Sequence, residues 1–165
     1  MRRLSLVLFA TLLIASSAYI VGTVGQMPPR VAMHFSSTGH GTGAVSRDFY
    51  LLLTLGFAVL LPLFIVASIA GLPLITKRGV KLPNRDYWLA PARRDETLAA
   101  VGAFGGWLGC LLTVFAAALH YAILEANANV PPQLRAPLLY TLLGGFFAAI
   151  LSWQALFYLR FRTPH

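Results

Sequence analysis

The sequence predicts an all-α membrane protein with four transmembrane helices and an extracytoplasmic loop between the first two helices. Hydrophobic residues make up 58% of the 165 residues and charged residues only 11%, whereas soluble domains average about 45–50% apolar and about 25% charged. Crossing a hydrocarbon core takes roughly 20 mostly apolar residues. Four stretches without Lys, Arg, Asp or Glu reach that length, over residues 4–25, 49–75, 98–124 and 136–159. Because these spans use most of the chain, we predict one domain over residues 1–165.

The positive charges are distributed unevenly between the predicted connectors. Lys and Arg at positions 2, 3, 77, 78, 81, 85, 93, 94, 160 and 162 lie at the two termini and in the second connector, whereas those at 30, 47 and 135 lie in the other connectors. The positive-inside rule then places both termini and the second connector in the cytoplasm, and we predict a multi-pass protein of the inner membrane. Contact with anionic lipid headgroups explains the net charge of +8, so we expect the lipid bilayer and no nucleic acid as a partner.

The first span admits two interpretations. Arg2 and Arg3, followed by an apolar run and the small residues 15–18, resemble a signal peptide with its cleavage site. The apolar run nevertheless continues to Gly25, which is the length of a membrane span. We predict that this helix is retained; cleavage would instead leave three spans.

The longest polar interruption of the chain covers residues 28–50. Two prolines end the first helix there, residues 31–35 have strand-like character, and Ser46 or Asp48 is placed to cap the second helix. Three glycines predict tight turns with positive φ: Gly39, Gly41 and Gly43.

Residues 27–35 (Met-Pro-Pro-Arg-Val-Ala-Met-His-Phe), followed by Gly39 and by Ser46-Arg47, resemble a bacterial membrane domain of unknown function, the DUF1648 type. That domain also forms the N-terminal unit of SdpI-type immunity and signalling proteins. His34, Phe35 and Gly39 match the family pattern, while His40 and its neighbours stand where an acidic turn is common. Residues 84–91 also resemble a recurring element of the short four-span members. The resemblance implies a four-span membrane fold, a ligand-binding or structural role for the loop motif, and toxin protection or signalling.

Three of the four histidines fall on the predicted outer side of the membrane. With one acid they form a candidate zinc or copper site made of imidazole and carboxylate ligands: His34, His40, His120 and Glu125. The alternative is that His34 bonds loop carbonyls, His40 is solvated and His120 sits at the membrane interface. No cofactor is therefore assigned, with zinc or copper as the open alternative.

A second candidate site lies on the predicted cytoplasmic side, where residues 84–91 would dock a partner or anchor the chain among headgroups. Its members are Asn84, Arg85, Asp86, Tyr87, Trp88 and Pro91. Pro91 is also a candidate first residue of the third helix.

The third span carries small residues four apart, which permit close approach of helices within the chain or between chains. These are Gly102, Gly105, Gly106 and Gly109. Pro62 lies near the middle of the second span, where a proline marks a kink, a pocket or a packing feature.

No enzyme motif is present in the sequence, and no span contains Asp, Glu, Lys or Arg, the charged residues that usually mark ion relays. We therefore predict a non-enzymatic sensor, a protective subunit or an accessory subunit that recognises something through its outer loop. The alternatives are a small transporter or metal-handling protein that uses the outer histidines, and a structural subunit. Another membrane protein or a second copy of the chain is a candidate partner.

Overall fold

The structure, a computed structural model, describes residues 2–71 and 82–162. Its elements are α1 (Arg2–Val24), β1 (Arg30–Phe35), β2 (Gly41–Ser46), α2 (Arg47–Val66), α3 (Arg85–Trp88), α4 (Arg94–Asn127) and α5 (Ala136–Arg162). One turn of π-helix, Ala67–Gly71, continues α2. The predicted second span ended at residue 75, and its residues 72–75 lie outside the described residues.

Within residues 2–71 and 82–162, four helices are long and apolar enough to cross a membrane: α1, α2 with its π-turn, α4 and α5. The prediction of four spans is confirmed at this level, and a multi-pass membrane protein is consistent with it. Each described helix extends a few residues into the polar flanks of its predicted span. Helix α2 begins where expected, because the Ser46 hydroxyl accepts a hydrogen bond from the backbone N–H of Phe49 (3.3 Å) and so caps it.

The prediction of an all-α fold is wrong in the first connector, which forms a two-stranded antiparallel sheet of β1 and β2. Arg30 pairs with Ser46 and Phe35 pairs with Gly41, with irregular register on either side of His34. Val31 is fully buried, and a buried backbone needs hydrogen-bond partners, which the second strand supplies. Gly41 and Gly43 therefore lie in β2 and not in tight turns.

Helix α4 is the centre of the bundle. Helices α1 and α2 both pack against it and against each other, while α5 packs along α4. In the most apolar 18-residue stretch of α4, half of the residues are buried, whereas in the corresponding stretch of α5 none is buried. Helices α1 and α4 run parallel, so each end of the bundle gathers residues from distant parts of the chain.

We name the two ends of the bundle by their contents. The hairpin end carries β1, β2 and the connector 128–135, which joins α4 to α5. The tryptophan end carries Arg2, helix α3 and Arg162.

The four glycines of α4 allow α1 and α2 to approach closely, so the small-residue pattern acts within the chain. A Cβ atom at Gly106 would lie 2.9 Å from the Cβ of Ser5, and one at Gly102 would lie 2.8 Å from the Nε of Arg2. Gly109 meets Phe9 of α1 in the same way, and Gly105 meets Ile69 of the π-turn.

Helix α4 begins at Arg94 and not at Pro91, which corrects the predicted start. Pro91 lies in a turn in which the N–H groups of Arg93 and Arg94 both donate to the carbonyl of Ala90 (2.9 and 3.0 Å). This turn separates α3 from α4. It allows Trp88 to turn toward the end of α5, as described below.

Candidate functional site

The side chain of Asn127 hydrogen-bonds the hairpin to the end of α4. Its Oδ1 accepts from the N–H of Ala32 (2.8 Å), and its Nδ2 donates to the carbonyls of Ala32 (3.0 Å) and Ile123 (2.9 Å). Asn127 thus pairs with Ala32 as a neighbouring strand would, on the edge of β1 that faces away from β2. Because Asn127 is buried, these bonds hold the hairpin to the end of α4 in one position.

The tip of the hairpin is attached to the connector 128–135. The N–H of Gly41 donates to the carbonyl of Pro132 (3.0 Å), and the N–H of Leu134 donates to the carbonyl of Gly39 (2.8 Å). Gly39 has φ +84°, and a Cβ atom at this position would collide with the Leu134 carbonyl. Gly39 is therefore required both by its backbone conformation and by the close approach of the connector.

His120 lies inside the bundle, about two helical turns before Asn127 in α4, and is only 1% exposed. Thr23 Oγ1 of α1 lies 2.8 Å from its Nε2, and the Tyr50 hydroxyl of α2 lies 2.8 Å from its Nδ1. The Tyr19 ring meets the imidazole edge-on at 5.5 Å, and the Tyr50 ring stacks on it at 5.8 Å. The imidazole therefore joins the three helices that form the core.

The hydrogen bonds around His120 define its tautomer. The Thr23 hydroxyl donates its one proton to the Tyr19 carbonyl (2.7 Å), so toward His120 it is an acceptor. In the neutral imidazole, Nε2 then carries the proton and donates a hydrogen bond to Thr23, while Nδ1 accepts one from the Tyr50 hydroxyl. The result is a directed chain from Tyr50 through the neutral imidazole to Thr23 and the backbone of α1.

The four predicted metal ligands are not brought together. Both ring nitrogens of His120 are occupied by Tyr50 and Thr23, whereas His34 and His40 are exposed on the hairpin. Glu125 bonds Arg135. Across residues 2–71 and 82–162, no three side chains of His, Cys, Asp or Glu form a group that could hold a metal ion. Binding of zinc or copper by the exposed histidines stays a prediction.

A cleft of about 560 Å³ lies beside the hairpin tip, between the end of α4 and the start of α5. Its polar lining comes from Thr38, Glu125, Asn129, Gln133 and Arg135. Glu125 accepts a hydrogen bond from Arg135, and this bond raises the pKa of the Arg135 guanidinium above its ordinary value. The side chain of Arg135 is 70% exposed, so the cleft presents a cation and a carboxylate side by side at its surface.

Two residues of the predicted docking element at the tryptophan end, Asn84 and Trp88, bond the end of α5. Trp88 is 6% exposed, and its Nε1–H donates to the carbonyl of Phe161 (2.8 Å). The Asn84 amide donates to the carbonyl of Arg162, so α3 satisfies backbone groups at the end of α5. Trp88 is thus buried within the chain, and docking of a partner by this element stays a prediction.

The rest of that element remains at the surface. Arg85 and Asp86 are exposed, and Pro91 is exposed in the turn before α4. The Arg93 guanidinium lies 4.2 Å from the centre of the Tyr87 ring, which is a cation–π contact. Docking of a partner or contact with headgroups through these exposed residues stays a prediction.

Sequence reasoning missed Asn127, Tyr50 and Thr23 as members of the hairpin end. One pattern could have found part of this set: Thr113, His120 and Asn127 are seven residues apart in α4, and all three are buried. A heptad spacing of polar residues within an apolar span places them along one face of the helix, which the structure buries.

Comparison of the chain with protein-family models, with curated proteins and with solved structures found no match in any of the three.

Proposed function

We propose that this chain is a non-enzymatic membrane protein whose hairpin end recognises a ligand or partner, as a sensor, protective subunit or accessory subunit would. The observation that carries this proposal is the attachment of the hairpin. Asn127 holds the hairpin to α4, and Gly39 holds its tip to the connector. The polar cleft, which lies beside the hairpin tip between the end of α4 and the start of α5, therefore has a defined shape. A preformed site loses less conformational entropy on binding than a free loop would.

The chemistry of the cleft favours a ligand with both hydrogen-bond donors and acceptors, such as a segment of polypeptide. Arg135 offers a fork of donors to a carboxylate or a carbonyl, and Glu125 offers an acceptor to an amide or an ammonium group. Asn129 and Gln133 add amides at the rim. The cleft volume of about 560 Å³ also lies within the roughly 300–1,000 Å³ of ordinary ligand pockets.

We further propose that the hairpin end faces outward from a bacterial inner membrane and that both termini lie in the cytoplasm. The charge distribution supports this orientation, since Arg2, Arg3, Arg160 and Arg162 belong to the tryptophan end. The resemblance of residues 27–47 to SdpI-type proteins supports a protective or signalling role and remains part of the proposal.

The function is tested by placing a photo-crosslinking amino acid at Gln133, on the rim of the cleft, in living cells. The matched control carries the same probe at Tyr140, which is 69% exposed on the apolar surface of α5. We expect the Gln133 probe to give one adduct of defined mass with a partner, and the Tyr140 probe to give adducts with lipid only. Mass spectrometry then identifies the partner in the adduct.

The same experiment in the double variant Glu125→Ala/Arg135→Ala separates recognition from proximity. If the cleft binds the partner, its adduct disappears although the protein still accumulates in the membrane. The same adducts from both probe positions, or an adduct that persists in the double variant, would contradict the proposal.

A further inference from the structure

Two buried hydroxyl groups in the middle of the bundle have no hydrogen-bond partner in the part of the chain that the structure describes. They are Ser16 Oγ on α1 and Thr113 Oγ1 on α4. Ser16 is 7% exposed and Thr113 is 1% exposed. A buried hydroxyl without a partner is costly, so such groups indicate where a ligand or water completes the structure.

Other hydroxyls in these helices behave differently. Those of Ser17, Thr23, Ser68, Thr141 and Ser152 each donate to the carbonyl four residues earlier, at 2.7–2.8 Å. This bond is the usual solution for Ser and Thr in an apolar helix. Ser16 and Thr113 do not form this bond, so both hydroxyl groups can bond to groups outside their own helices.

The contacts above and below place Ser16 and Thr113 at the same level. On one side, Phe9 packs on Gly109; on the other, Thr23 bonds His120. Ser16 comes seven residues before Thr23, and Thr113 comes seven residues before His120. In two parallel packed helices, one heptad below a contacting pair lies another facing pair.

Helix α2 brings a third polar group to this level. Pro62 is fully buried, and Ala58 one turn before it is 2% exposed and clusters with Ile20 of α1 and Ala116 of α4. Because proline has no N–H, the Ala58 carbonyl lacks the donor that residue 62 would supply in a regular helix. Freed carbonyls of this kind in membrane helices are satisfied by Ser or Thr side chains or by ordered water.

We propose that Ser16, Thr113 and the Ala58 carbonyl bind one water molecule at the junction of α1, α2 and α4. The water donates one hydrogen to the Ala58 carbonyl and the other to one hydroxyl oxygen, and it accepts from the second hydroxyl. Three partners are the usual number for a buried water. Pro62 thus creates a hydrated site at the middle of the membrane-spanning bundle, independent of the cleft and of the proposed function.

The test uses the intact protein in lipid bilayers and solid-state NMR with polarisation transfer from water protons to side-chain carbons. We expect transfer to the Cβ atoms of Ser16 and Thr113. Ser17 is the matched control, because it lies at the same depth and its hydroxyl already bonds the Leu13 carbonyl. No transfer to Ser16 and Thr113, or equal transfer to Ser17, would overturn the proposal.

Two variants then test which groups hold the water. Thr113→Val preserves the shape and removes the hydroxyl, so transfer to Ser16 should be lost. Pro62→Ala restores an N–H for the Ala58 carbonyl and should weaken the transfer to both Ser16 and Thr113, whereas Ser17→Ala should leave it unchanged. Unchanged transfer to Ser16 in Thr113→Val would show that the two hydroxyls do not share a water. If a variant fails to fold, the wild-type comparison with Ser17 still decides the proposal.

Discussion

At the scale of single residues, His120 illustrates how a sequence-based role changes with its surroundings. In the sequence it stands near the outer end of a span and resembles a metal ligand. In the structure Tyr50 and Thr23 occupy its two ring nitrogens. An imidazole bonded at both ring nitrogens stabilises the contact between helices, because the buried polar groups of His120 and Tyr50 would otherwise lack partners.

Removing the Tyr50 hydroxyl tests this role. Tyr50→Phe leaves Nδ1 of His120 buried without a donor, which costs about 1–3 kcal/mol in the free energy of unfolding. Tyr121→Phe is the matched control, since Tyr121 is 48% exposed beside His120 on the same helix and should change stability little. Reversible unfolding in mixed micelles measures both variants. Equal stability of Tyr50→Phe and Tyr121→Phe would show that the bond to His120 contributes nothing.

At the scale of secondary-structure elements, the glycines of α4 determine how closely the helices approach. Apolar helices in a bilayer gain little from the hydrophobic effect on association, so close van der Waals packing and hydrogen bonds carry more of the stability. The spacing of small residues predicted this packing from sequence. The spacing did not indicate whether the packed helix belongs to the same chain or to another one, because it describes only one of the two surfaces in contact.

A comparison of two glycine substitutions tests the contact with α1. At Gly106 an added Cβ would lie 2.5 Å from Ser5 Oγ, whereas at Gly144 of α5 it would meet nothing within 4 Å. Both substitutions favour the helix equally, so their difference isolates the contact. We expect Gly106→Ala to be less stable than Gly144→Ala by roughly 1–3 kcal/mol, the usual cost of overpacking.

The unfolding transition in mixed micelles measures both glycine variants under one set of conditions. The same midpoint for the two proteins would mean that α1 can move away from Gly106 without loss. In that case the close approach would not be a source of stability.

At the scale of the whole molecule, the bundle separates two chemically different ends. The hairpin end presents the two-stranded sheet, the cleft and the Glu125–Arg135 ion pair, whereas the tryptophan end gathers arginines around α3 and the end of α5. Arg160 illustrates the second end, because it lies 5.0 Å from the centre of the Trp88 ring and 3.7 Å from Glu96. The proposed recognition of a ligand at the hairpin end and the predicted contact with headgroups at the tryptophan end agree with this division.

Cysteine accessibility tests the proposed orientation. In a Cys110→Ala background, Thr42→Cys places a thiol on exposed β2 and Asp86→Cys places one on exposed α3. A membrane-impermeant maleimide added to spheroplasts should label Thr42→Cys at once and Asp86→Cys only after the membrane is permeabilised. Labelling in the reverse order would invert the topology.

The sequence by itself determined the four long helices, a cap at Ser46 or Asp48 and the small-residue face of α4. Each follows from a local property: the length of an apolar run, a hydroxyl before a helix, or a spacing along one face. Only the tertiary structure decided that β1 and β2 pair, that Trp88 is buried against Phe161, and that His120 bonds Thr23 and Tyr50. Those two partners lie 97 and 70 residues away along the chain. A hydrogen bond depends on the positions of its atoms to within a few tenths of an ångström. The packing of segments that are distant in the sequence determines these positions, and a local sequence pattern does not.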